Sequence, residues 1–145
     1  PWVEVNSSRS SHYDNDQFDF IPPTPTQWPF SPARLLVAPG QPLNKDILGM
    51  FTNPLISPIY GDFSGCPPLL IHVGGKEMMH DDICEFACRV KKQQSCHEDK
   101  AGHPLVKLEI YEDMPHVFHL FDFTDAAAMA YASIGDFTCQ LIAGK

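Results

Sequence analysis

Leu69-Leu70-Ile71-His72-Val73-Gly74-Gly75 is a short, mostly apolar run closed by two glycines. Its length suits a strand buried on both faces, and the glycine pair marks where it stops. Downstream, Asp81 and Asp82 stand where a helix begins, one as N-cap and both favourable to its positive end. The periodicity predicts that helix to about Gln94, with Ile83, Phe86, Ala87 and Val90 on one face and Asp82 at the surface. Residues 95–104 (SCHEDKAGHP) read as a polar loop. Val106, Leu108 and Ile110 then alternate with Lys107, Glu109 and Tyr111, the mark of a second strand. A last helix is expected from about Thr124 to Ile142, with Ala127, Ala130, Tyr131, Ile134, Thr138 and Leu141 inward. Strand, helix, strand, helix, joined by connections suited to parallel pairing, is the grammar of an α/β sheet.

Upstream of this regular part the chain changes character. Most of its fourteen prolines lie before residue 61, and proline removes a donor that helices and central strands need. Residues 1–5 read as the end of a strand or its exit loop, and residues 6–33 as a long loop. Residues 42–51 (QPLNKDILGM) can form a short helix, with Leu43, Ile47 and Met50 or Phe51 on one side. The 145 residues are enough for one core, so the expected organisation is a Pro-rich irregular segment (1–68) leading into the regular segment (69–145) of a single domain.

A hydrophobic content of 43% and a charged content of 19% describe a globular chain. The net charge of −8 argues against nucleic acid, whose phosphates an acidic surface repels. Arg89, Lys91 and Lys92 form a weak basic cluster, expected on the solvated face of the first long helix. No apolar run approaches the roughly 20 residues that span a bilayer, and no basic-then-apolar leader is seen. The chain opens on Pro1, so its native start is expected upstream or removed. Five cysteines without dense spacing suit reduced, partly buried thiols and a cytoplasmic location.

In open parallel sheets the chemistry gathers beyond the carboxyl ends of the strands. Here those ends carry Lys76, Glu77, His80 and Asp81 after the first strand, and Asp113 and His116 after the second. Two metal readings compete with a catalytic one. Cys84, Cys88, Cys96 and His97 lack the compact pairs of a zinc knuckle, so Cys84 and Cys88 are expected in the core. Glu77 with His80, and His116 with His119, have ligand-like spacing but fall in loops or at a helix start, so no metal is expected there.

The run NPLISPIYGDFSGCPPLLIHVGGKEMMHDD (53–82), followed by VKLEIYEDMPHVF (106–118), resembles the end of the hormone-sensitive-lipase-like branch of the α/β-hydrolases. Ser57-Pro58 through Pro67-Pro68 before a strand, Glu77-x-x-x-Asp81-Asp82 after it, and Met114-Pro115-His116-x-Phe118 after the next carry the likeness. Pro1-Trp2-Val3 is similar to the segment after that family's sixth strand. The resemblance implies a partial α/β-hydrolase fold, the C-terminal strands and helices of a parallel sheet, and hydrolysis of a small-molecule ester through an acyl-serine. In such enzymes a histidine takes the serine proton and returns it to the leaving group, while a carboxylate orients the imidazole. The histidine maps to His116. The acid maps to Glu77, where the family usually has aspartate, with Asp81 as its rival. A Glu77 oxygen is then expected roughly 2.6–3.2 Å from a ring nitrogen of His116, or one water away. No cofactor is implied.

The nucleophile is a different matter. The elbow G-x-S-x-G needs small residues around a tight strand-to-helix turn, and no serine here has glycine at both −2 and +2. Gly61-Asp62-Phe63-Ser64-Gly65 misplaces the first glycine and reads as a turn. An HGGG-type oxyanion loop is absent too. The chain alone is therefore expected to be inactive. The other reading is a truncated hydrolase kept as a binding or regulatory module, prone to self-association through exposed strand edges.

Overall fold

The computed structural model describes residues 3–4, 9–21, 38–42, 44–94 and 105–143. Expectations for Pro1, Trp2, Leu43, Cys96, His97, the polar loop 95–104 and much of the long loop 6–33 lie outside these residues. A short helix, α1 (Ser11–Asp14), interrupts that expected loop. Helix α2 (Lys45–Met50) is capped by Asn44, whose side-chain oxygen accepts from the Ile47 N–H at 2.9 Å. Ile47 and Phe51 are buried while Met50 is exposed, which decides between the two inward candidates.

The regular part consists of β1 (Leu69–Gly74), α3 (His80–Gln94), β2 (Val106–Tyr111) and α4 (Asp125–Ala143). β1 and β2 pair in parallel, from Leu69 opposite Val106 to Gly74 opposite Tyr111. One face of β1, through Ile71 and Val73, packs on Ile83, Phe86, Ala87 and Val90 of α3. Burying aliphatic side chains such as Ile83, Val73 and Val90, each essentially sealed from solvent, stabilises the fold by about 1.5–3 kcal/mol apiece. Val3 and Ile59 join this core, and the Val3 carbonyl accepts from the Ile59 N–H at 3.0 Å.

The second face differs from expectation. Leu70 and His72 are only half-buried, because a depression of about 430 Å³ separates them from Ile134 and Phe137 of α4. Of the α4 residues expected inward, Ala127 and Ala130 are sealed, Leu141 is half-buried, and Tyr131, Ile134 and Thr138 are exposed. The two strands among the described residues give a nineteen-residue helix too little sheet to lie on.

Asp81 and Asp82 both lie inside the first turn of α3, so neither is its N-cap. Asp82 is not at the surface. It is 1% exposed, with Arg9 Nε at 2.8 Å and His12 Nε2 at 2.9 Å. Partners some seventy positions upstream in sequence compensate a charge that burial would otherwise make costly. Cys88 is exposed rather than in the core, and Cys84 is half-buried. Among the described residues no helix is long and apolar enough to cross a membrane.

Candidate active site

Parallel pairing brings the loops after β1 and β2 to the same edge of the sheet. The backbone then joins them. The Gly75 N–H donates to the Tyr111 carbonyl at 2.8 Å, and the Lys76 N–H to the Met114 carbonyl at 2.9 Å. Gly74 and Gly75 allow this approach: a Cβ on Gly75 would stand 3.0 Å from the Glu112 backbone. The glycine pair that ends the strand in sequence therefore also seats the second loop on the first.

Glu77 and His116 meet across this seam. Glu77 Oε2 lies 3.4 Å from His116 Nδ1, with the Glu77 side chain 4% exposed and the His116 side chain 19% exposed. The separation is that of an ion pair and is longer than the hydrogen bond expected from topology. Glu77 Oε2 accepts a hydrogen bond from the Gly74 N–H at 3.4 Å, while Glu77 Oε1 and His116 Nδ1 are both buried with no hydrogen-bond partner. The Phe20 ring stands 6.3 Å from the imidazole, centroid to centroid.

Asp81 faces elsewhere. Its Oδ2 accepts from the Ser10 hydroxyl at 3.1 Å and the Ser11 N–H at 3.0 Å, and its Oδ1 meets His80 Nδ1 at 3.1 Å. Burial would raise this carboxyl, but the bonds from His80, Ser11 and Ser10 together hold it below the ordinary value. The structure thus brings Glu77 and His116 together and sets Asp81 against the N-terminal segment.

That segment straps the acid loop. Asn15 donates to the carbonyls of Gly75 and Glu77, and Asp19 accepts from the Met78 N–H at 2.8 Å. Ser11 donates to the Met78 carbonyl at 2.7 Å. Nothing in the local pattern of residues 9–21 signals these partners, which lie roughly sixty to seventy positions away.

The four candidate metal ligands are dispersed. Glu77 is with His116, His80 is with Asp81 and 3.7 Å from Cys84 Sγ, and His119 is with His72. Among the described residues no group of three His, Cys, Asp or Glu is arranged to hold a metal ion. Ser64 is exposed in a turn, its N–H donating to Asp62 Oδ1 at 3.0 Å.

A family model described as the alpha/beta hydrolase fold matches residues 43–120, just over half of the 145 residues. The chain belongs to that family. An acetyl-hydrolase of Streptomyces hygroscopicus is 41% identical over 69 residues, 48% of this chain and 19% of that protein. An esterase of Acinetobacter venetianus is 33% identical over 90 residues, 61% of this chain and 27% of that one. Among solved structures, a hormone-sensitive lipase from a metagenome library superposes with a TM-score of 0.64 at 29% identity. An esterase of the bacterial hormone-sensitive lipase family does so with a TM-score of 0.59 at 28% identity. Each of the two alignments covers 94% of this chain and 40% of the other. This alpha/beta hydrolase chain therefore spans well under half the length of the proteins it matches, and these two solved structures are of the hormone-sensitive-lipase type.

Proposed function

We propose that this chain supplies the acid and the histidine of a serine carboxylic-ester hydrolase, with His116 as general base and acid and Glu77 as its orienting carboxylate. The observation that carries the reading is the buried Glu77 carboxylate 3.4 Å from His116 Nδ1. An anion there favours a proton on Nδ1, leaving Nε2 as the basic nitrogen that takes the proton of a serine hydroxyl. The imidazolium formed in that step is stabilised by the same carboxylate and then protonates the leaving alcohol. Relatives named acetyl-hydrolase and esterase agree with a small ester as substrate.

The serine and the oxyanion donors have no counterpart in these 145 residues, so the reading assigns them to other sequence. By itself the chain turns over aryl esters no faster than free imidazole does. The lack of G-x-S-x-G favours one second reading, a non-catalytic module that binds or regulates, self-associating through its strand edges.

A chimera tests the first reading: residues 1–145 replace the matching part of the Acinetobacter venetianus esterase. With p-nitrophenyl butyrate, His116→Ala is expected to lower kcat/KM by about 10³ or more. Glu77→Gln should cost more than Asp81→Asn. The reverse ranking would move the acid role to Asp81, and a folded, inactive chimera would favour the module. For the chain alone, turnover lost on Ser64→Ala would overturn the assignment of the serine to other sequence.

A further inference from the structure

The half-buried His72 interrupts the apolar run of β1, and Glu109 stands directly opposite it in the register of β2. His72 Nε2 is 3.2 Å from Glu109 Oε2, and His72 Nδ1 is 2.9 Å from His119 Nε2. The two imidazole planes are nearly parallel, 5° apart, with ring centroids 5.2 Å from one another. We propose that Glu109, His72 and His119 form a chain of polar contacts, an ion-pair separation followed by a hydrogen bond, that positions the loop carrying His116. The inference rests on the reading of His116 given above and adds three residues to it, none of which needs to touch substrate.

The protonation pattern follows from the anchor. Burial would raise the Glu109 carboxyl, but hydrogen bonds from Lys107, Ser133 and Tyr111 outweigh that and hold it at about 2. Glu109 is therefore an acceptor at neutral pH, and His72 Nε2 facing it must carry a proton. Burial also lowers both imidazoles below their ordinary value, so each is neutral. A neutral His72 protonated on Nε2 has a bare Nδ1, and the 2.9 Å contact then requires the proton on His119 Nε2. One arrangement satisfies both contacts.

What the chain holds is a strained turn. Val117, next to His116, has φ 50° and ψ 34°, a left-handed conformation that a β-branched residue keeps only when its surroundings impose it. The 3-10 turn Phe118–Leu120 follows immediately. Three contacts fix it: the His119 ring on His72, the His119 carbonyl accepting from the Tyr131 hydroxyl at 3.0 Å, and the buried Phe118 ring against Tyr111. The first ties the turn to the middle of β1, the strand whose end delivers Glu77. His72 thus references the His116 loop to the same strand as its proposed acid.

Glutamine offers a sharp test, because its amide can donate to Glu109 and accept from His119 as His72 does, whereas leucine can do neither. In the isotope-labelled 145-residue chain, NMR should detect scalar coupling across the His119 Nε2–H···Nδ1 His72 bond, with Nδ1 of both rings unprotonated. Contacts between the His116 and Phe20 rings, read as nuclear Overhauser effects, should weaken several-fold in His72→Leu and return in His72→Gln. Methyl signals of Ile83 and Val90 report whether each variant is folded. Absence of the coupling in the wild-type chain, or a proton on His72 Nδ1, would overturn the chain itself. A His116–Phe20 contact equally strong in all three proteins would overturn its positioning role. Neither measurement depends on turnover, so loss of the His116 reading in the chimera would be a separate result.

Discussion

Gly74 and Pro115 approach so closely that a Cβ on residue 74 would stand 2.7 Å from the Pro115 carbonyl oxygen. That oxygen belongs to the backbone just before His116, and no flexible side chain is available to yield. Gly74→Ala is therefore expected to push the second loop away from the first and to cost about 1–3 kcal/mol, as overpacking of a buried contact does. Urea denaturation measures the cost. In the chimera the same variant should lower kcat more than it raises KM, since it displaces His116 from Glu77. Unchanged stability and turnover would mean that the loops are not seated as described.

The parallel pair and the inner face of α3 were legible in the sequence because both follow from local period. Ile83, Phe86, Ala87 and Val90 recur at helical spacing, and all four are buried. Glu77 and His116 were legible as neighbours by topology: parallel strands leave their loops at one edge. What the pattern could not supply was anything decided by a distant partner. Asp82 reads as a solvated first-turn acid until Arg9 and His12 are brought to it. Tyr131 and Ile134 read as inward until the width of the sheet is known. His72 did carry a signal, a polar residue within an apolar strand, but its meaning needed the register with Glu109.

The clamp on Asp82 gives a second expectation. Its carboxylate is sealed from solvent, while Arg9 is 36% exposed and can turn outward when released. Asp82→Ala should destabilise the chain by about 2–4 kcal/mol, a cost typical of dismantling a buried pair. More telling is where the effect appears. Amide exchange at Ser11 and Met78, whose N–H groups bind Asp81 and Asp19 across the strap, should accelerate, while amides in the β1–β2 ladder stay protected. Uniform acceleration across both regions would argue that the strap and the sheet open as one unit.

Acid should loosen the sheet in two stages, and the sign follows from the direction of each shift. His72 and His119 are both lowered from 6.5, chiefly by burial, so the folded chain resists a proton that the unfolded chain accepts. Their contribution is complete above 6.5 and is lost as pH falls from there through the folded values. Protonating both rings would also set two cations against each other across a 2.9 Å contact. Glu109, lowered from 4.5 to about 2, behaves in the same sense further down, with stability lost between those values. The urea midpoint is expected to fall between about pH 7 and pH 5, before most carboxylates titrate. His72→Gln removes one of the two titrating rings while leaving an amide able to meet both Glu109 and His119, so its midpoint should fall less steeply over that interval. A wild-type midpoint that holds level or rises toward pH 5, or a His72→Gln slope equal to the wild-type slope, would count against the His72–His119 pair as the acid-sensitive element.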